Sequence, residues 1–213
     1  MNGVFITGSN TEVGKTTVAI EIIKHLSKTR QVKVRKPVET NCELLGGGYI
    51  PKDAIALNEA SNSNESLNIV CPNRFALEAS PEEASASIGK ILSLDDLVQA
   101  CNDQAGDSFT LVEGAGGIYS PIAEKALNSD LAACLQLPVI IIVRDELGAV
   151  NQGLLAIEAV KKNNLEVLCL ILNEINSNTL LNKESIAGYT DVPILPFSKD
   201  NLEFFYSEIE RLI

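Results

Sequence analysis

The chain has 213 residues, 46% of them hydrophobic, and a formal net charge of −11 with acidic residues spread along its whole length. That balance leaves no basic stripe for a nucleic-acid backbone and excludes a function built on phosphate contacts to DNA or RNA. Its five cysteines (Cys42, Cys71, Cys101, Cys134, Cys169) lie far apart with no Cys-x-x-Cys pair, and the lone His25 cannot complete a Cys/His metal set.

In chain order, GVFITG (3–8) predicts a first strand that runs through a glycine-containing loop into VAIEIIKHL (18–26). There Val18, Ala19, Ile22, Ile23 and Leu26 share one helical face, and His25 falls on the solvated side. Further strands are expected at VKVRKPV (32–38), FTLVEGAGG (109–117), PVIIIV (138–143), VLCLIL (167–172) and VPILPF (192–197), the last followed by the helix DNLEFFYSEIERLI. Between residues 39 and 108, DAIALNEA and LDDLVQAC read as helices, LLGGGYIP (44–51) as a mobile loop, and no strand is expected. Lys161 and Lys162 read as a solvated helix end. Strands without polar alternation are buried on both faces, so the expected fold is α/β: a mostly parallel central sheet flanked by helices, one domain spanning 1–213. MNGVFITG carries no basic secretory segment, and PVIIIV is too short to cross a bilayer. A cytoplasmic protein with reduced thiols, most of them buried, and no membrane partner is expected.

The stretch GSNTEVGKTT (8–17) has five residues between Gly8 and Gly14, where the usual phosphate loop has four. Its context of strand, loop, Lys-Thr and helix still fits a P-loop nucleotide-binding fold. Successive backbone N–H groups form a nest, and the helix beginning near Lys15 turns its positive end toward it. Lys15 can reach the β and γ phosphates, and the Thr16 hydroxyl can ligate magnesium. Glu113 ends a buried strand and suits a second metal ligand; the following glycines allow close approach of backbone to phosphate. Asp53 reads equally as a third ligand or as a carboxylate favouring a helix N-terminus. Lys36, at the end of an apolar strand and before Pro37, should emerge at the carboxyl edge of the sheet. Two lysines converging there suggest phosphoryl transfer to another anion.

These motifs together resemble dethiobiotin synthetase. The family's lengthened loop stands here as GSNTEVGKT, its KPV as Lys36-Pro37-Val38, and its VEGAGG intact at 112–117. Its PVI-x-V-V strand and LG-x-(I/V)-N turn stand as PVIIIV and LGAVN, and its adenine-reading Asn matches Asn173. The resemblance implies ATP-dependent carboxylation of 7,8-diaminopelargonic acid by carbon dioxide. A carbamate forms, the ATP γ-phosphate activates it as a mixed anhydride, and the second amine closes the cyclic urea. It implies that Lys36, Lys15 and Thr11 act in catalysis, with Thr16, Asp53 and Glu113 holding Mg2+. Nucleotide contacts would come from Glu12, Val13, Gly14, Lys15, Thr16 and Thr17, from Gly114, Ala115 and Gly116, and from Asn173, Pro196, Phe197 and Ser198. Lys36, Thr40 and the turn Gly148, Ala149, Val150, Asn151 would bind the diamine, near the interface of a homodimer. The extra loop residue would bring Thr11 and Glu12 to the rim.

Ser9 and Asn10 replace the family's Thr and Asp, RDELG (144–148) gives the carboxylate-binding turn a more charged lead-in, and PILPFSKDN (193–201) is shorter than the family's adenine-contacting loop. Other nucleoside triphosphates are therefore expected to compete with ATP. Two other readings stand beside this one. A deviant P-loop ATPase switch of the partitioning type would place a lysine early in the loop, where this chain has Gly-Ser-Asn at 8–10. A glutamine-dependent amidating synthase would need a further Cys/His domain for which 213 residues leave no room.

Overall fold

A computed structural model describes residues 1–213. The apolar runs become six strands: β1 (Gly3–Gly8), β2 (Val32–Arg35), β3 (Phe109–Gly117), β4 (Val139–Arg144), β5 (Val167–Asn173) and β6 (Ile194–Phe197). They pair in parallel throughout, in the order β6-β5-β4-β1-β3-β2. Burial on both faces explains why their sequences lack polar alternation. In β4, Val139, Ile141 and Val143 enter one core, while Ile140 and Ile142 enter the other.

Nine helices connect and cover the strands. In chain order they are α1 (Lys15–Leu26), α2 (Lys52–Ala60), α3 (Leu67–Val70), α4 (Pro81–Ala86), α5 (Leu94–Asn102), α6 (Asn128–Leu135), α7 (Ala149–Lys162), α8 (Asn182–Ala187) and α9 (Leu202–Leu212). From β1 the chain passes through α1 to β2 at one edge, returns to β3, then crosses to β4 on the other side of β1. The strand order therefore reverses around β1, and a crevice opens at the carboxyl ends of β1 and β3, where ligands of open α/β sheets bind. Against β1 the register jumps: Ile6 lies opposite Glu113, but Gly8 lies opposite Gly117. Gly114, Ala115 and Gly116 are the residues looped out at that crevice.

Three expectations need correction. The second strand ends at Arg35, before Lys36-Pro37, because proline has no N–H to continue the ladder. Val38–Glu39 instead pairs with Asn73–Arg74, also in parallel. LLGGGYIP is a hairpin: Glu43–Leu45 runs antiparallel to Gly48–Ile50, and Gly46 and Gly47 take φ of 60° and 85° at the turn. Two adjacent glycines suit a tight hairpin, which needs positive φ at both central residues. His25 is not free in solvent. Its ring stacks on Tyr206 of α9 with centroids 4.5 Å apart, and Nε2 lies 3.2 Å from Glu210 Oε2. Four cysteines are buried, Cys134 is exposed, and all five are free thiols. No helix is long and apolar enough to cross a membrane.

Candidate active site

The phosphate loop is shaped by two residues with positive φ. Glu12 has φ 57°, and Gly14, at the start of α1, has φ 86°. Gly14 could not be another residue: a Cβ there would sit 2.1 Å from Asn173 Nδ2. That amide donates to Val13 O at 2.8 Å, so the end of β5 pins the loop from beneath. No side chain caps the first turn of α1. Its leading N–H groups are the orphans of any helix start and are left facing the crevice, available to an anion. Asn10 Oδ1 accepts from Thr11 N at 2.8 Å, and Lys15 Nζ donates to Asn10 O at 3.1 Å, folding the lysine back across the lengthened loop.

Two lysines and two carboxylates meet above the strand ends. Lys36 Nζ lies 2.5 Å from Glu113 Oε1, donates to Gly114 O at 3.2 Å, and sits 3.6 Å from Asp53 Oδ2. Thr16 Oγ1 donates to the same Glu113 Oε1 at 3.0 Å. Burial alone would push the Lys36 ammonium toward neutrality, but Glu113, Asp53 and Glu39 outweigh it and raise its pKa above the ordinary lysine value. Lys15 behaves oppositely. Burial and then the charge of Lys36 lower it to about 8, so it stands in want of an anion.

The donors fit magnesium bound together with a nucleotide. Glu113 is fully buried, and its Oε2 has no hydrogen-bond partner. The Thr16 hydroxyl bonds its other oxygen, and the half-exposed Asp53 carboxylate meets the same Lys36 ammonium. No three His, Cys, Asp or Glu side chains form a metal cluster by themselves. Magnesium characteristically takes one or two carboxylates and completes its shell with phosphate and water.

A cavity of about 890 Å³ opens here. Of the expected site residues, Thr11, Glu12, Gly14, Lys15, Thr16, Thr17, Lys36, Thr40, Asp53, Ala115 and Gly116 line it. Glu113 and Gly114 contact Lys36 from the cavity floor. Val13 is buried behind the loop. The base-reading set is not gathered there. The Phe197 ring is packed in the core, edge-on to Phe205 at 4.9 Å, and cannot offer its face to a base. Pro196 is exposed on the edge strand and Ser198 is half-buried; neither lines the cavity. The turn Gly148 to Asn151 also lies outside the cavity lining, at the uncapped start of α7. The charges of RDELG are largely engaged within the chain: Arg144 Nε is 3.1 Å from Glu146 Oε2, and Asp145 Oδ1 accepts from Asn182 Nδ2 at 2.6 Å.

Sequence reasoning missed the residues that hold the site in shape. Glu39 accepts from the backbone N–H groups of Asp53 and Ala54 at 3.0 and 2.9 Å. Asn128 brackets the looped-out glycines, accepting from Ala115 N at 3.0 Å and donating to Ala115 O at 2.8 Å. Asn73 donates to Pro37 O at 3.1 Å, steadying the turn that carries Lys36. An Asn opening a helix was a visible signal for Asn128; Glu39 and Asn73 had none.

A family model described as an AAA domain matches residues 2–196. Over 213 residues the chain is 45% identical to the ATP-dependent dethiobiotin synthetase BioD of Vesicomyosocius okutanii subsp. Calyptogena okutanii (strain HA), covering 100% of this chain and 97% of that protein. It is also 45% identical to the ATP-dependent dethiobiotin synthetase BioD of Ruthia magnifica subsp. Calyptogena magnifica, covering 100% and 99% respectively. Among solved structures, a plasmid partition protein from Borrelia burgdorferi matches with a TM-score of 0.63 at 17% identity over 100% of both chains, a likeness of fold alone. With a lengthened P-loop, a Lys36–Glu113 pair at the sheet edge and end-to-end identity at this level, the chain belongs to the dethiobiotin synthetase family.

Proposed function

We propose that the whole chain, 1–213, works as one synthetase unit that forms dethiobiotin in biotin biosynthesis. Its substrates are 7,8-diaminopelargonic acid, carbon dioxide and ATP. The observation that carries this reading is the placement of Lys36: a buried ammonium, held cationic by carboxylates, on the wall of a cavity shared with the phosphate loop. Simple nucleotide storage has no use for it.

One amine adds to carbon dioxide and loses a proton, giving a carbamate. A carbamate oxygen then attacks the γ-phosphorus, the bond to the β-phosphate oxygen breaks, and ADP leaves. The second amine attacks the carbonyl carbon and loses a proton, the carbon–oxygen bond to phosphate breaks, and inorganic phosphate leaves with the ring closed. The leading N–H groups of α1 and the Lys15 ammonium hold the phosphates and stabilise charge as it develops. Lys36 faces the acceptor and holds the carbamate beside the γ-phosphate, while Thr11 and Thr40 on the cavity wall orient the two reactants. Thr16, Asp53 and Glu113 would hold Mg2+, which would neutralise phosphate charge during transfer. The turn Gly148 to Asn151, outside this chain's own cavity lining, holds the diamine carboxylate at a homodimer interface. A cytoplasmic setting, where the free thiols stay reduced, belongs to the same reading.

Lys36→Ala tests the assignment. Turnover should fall by about a hundredfold or more, the scale for removing one donor from developing charge, with nucleotide affinity little changed. Loss of nucleotide binding together with turnover, or unchanged turnover, would contradict it.

A further inference from the structure

α2 begins without a cap of its own. It follows Pro51, which has no side-chain acceptor, and no residue of the helix supplies one. Its leading N–H groups are satisfied from elsewhere: Asp53 N donates to Glu39 Oε1 at 3.0 Å and Ala54 N to Glu39 Oε2 at 2.9 Å. Glu39 is only 7% exposed. It is fixed by the short Val38–Glu39 strand, by Phe75 N donating to its carbonyl at 2.9 Å, and by Asn73 on the preceding Pro37. A carboxylate accepting backbone N–H groups at a helix start makes charge-assisted hydrogen bonds, and the helix dipole adds to them.

The Asp53 side chain is poorly held by comparison. It is 47% exposed, and its one charged partner is Lys36 at 3.6 Å. Its position is therefore set by its backbone, and its backbone is set by Glu39. We propose that Glu39 is a positioning residue for magnesium-nucleotide binding: it caps α2 from outside the helix and so holds Asp53 at the metal. Each of its oxygens accepts one backbone N–H at the start of α2, so it shapes the cavity wall that it also lines. The inference rests on the reading of Asp53 as a magnesium ligand. It concerns one arm of the site only, because Thr16 and Glu113 stand on α1 and β3.

The test is a magnesium titration of the binding of a fluorescent ATP analogue, without diamine, on the full chain. Glu39→Gln should raise the magnesium concentration at half-saturation about tenfold, the lower end of the range for losing an outer-shell partner. In an Asp53→Asn background the same change should produce almost no further shift, since the two residues act as a unit. An unmoved midpoint in Glu39→Gln, or an equal shift with Asp53 already replaced, overturns the proposal. Should Glu39→Gln fail to fold, hydrogen exchange on the unaltered protein decides. The Asp53 and Ala54 amides should be protected before nucleotide or metal is added, and exchange at free-peptide rates overturns the proposal. Failure of the synthetase reading itself would appear separately, as ADP release indifferent to diamine with these titrations unchanged.

Discussion

Lys15 and Lys36 are both buried, yet their neighbours set them apart. Lys36 meets Glu113 at 2.5 Å and Asp53 at 3.6 Å and keeps its charge; Lys15 bonds only a backbone carbonyl, and burial and the repulsion of Lys36 outweigh the attraction of the same carboxylates. One lysine is satisfied within the chain, and the other would be completed by phosphate. Both were legible in the sequence, because a loop of fixed spacing announces Lys15 and a proline after an apolar strand announces the exit of Lys36. Strand alternation also separates Lys36 from its neighbour Arg35, whose guanidinium is fully buried and binds Glu65 through both ends at 2.7 and 3.1 Å. Glu39 was not legible, since its partners lie 14 and 15 residues away on a different element. Tertiary contacts of that kind leave no local pattern. The base end of the nucleotide is thinly provided in the same way. Asn173 is committed to Val13 O and the Phe197 ring to the core. GTP and CTP should therefore compete within roughly tenfold of ATP, far from the roughly 10⁴-fold rejection of a pocket built to hydrogen-bond one group. A competition assay showing exclusion on that larger scale would contradict this.

At the scale of elements, all six strands of the main sheet were visible as apolar runs, since burial on both faces leaves an unmistakable composition. The hairpin at 43–50 was not: its strands are three residues each, one exposed and the other at most half-buried, so only the paired glycines could have signalled it. The contact between α1 and α9 was also missed, because it depends on side chains 185 residues apart. There Tyr206 Oη donates to Glu21 Oε2 at 2.6 Å, and Lys24 sits 2.9 Å from Glu21 Oε1. Burial would raise the Glu21 pKa, but these two partners outweigh it and hold the group below its ordinary 4.5. A depressed carboxylate contributes stability that is present above the unfolded value and lost as pH falls through the folded one. Tyr206→Phe should cost about 1 kcal/mol at neutral pH, and the gap to the unaltered protein should close on acidification below 4.5. Denaturant melts at pH 7 and pH 3 check both statements; a gap that widens in acid would refute the sign.

For the whole molecule, the apolar surface around α7 bears on assembly. Leu147 just before the helix and Leu155 two turns into it are 89% and 63% exposed, and Leu181 is 69% exposed. The proposed carboxylate-holding turn lies at the foot of that surface. The proposed homodimer would bury that surface between the two copies. Sedimentation should find a dimer, and Leu155→Glu should yield monomers that bind nucleotide but turn over diamine at least tenfold more slowly, the scale of a lost positioning contact. Full activity in a monomer would remove the shared-site part of the account.

In the proposed function, phosphoryl transfer at this site is coupled to ring closure on a diamine. ADP release from magnesium-ATP, measured with labelled bicarbonate and with or without 7,8-diaminopelargonic acid, tests it most directly. Release should depend on the diamine, with one labelled carbonyl entering product for each ADP. Release that proceeds equally without the diamine, or label that never enters product, would contradict it.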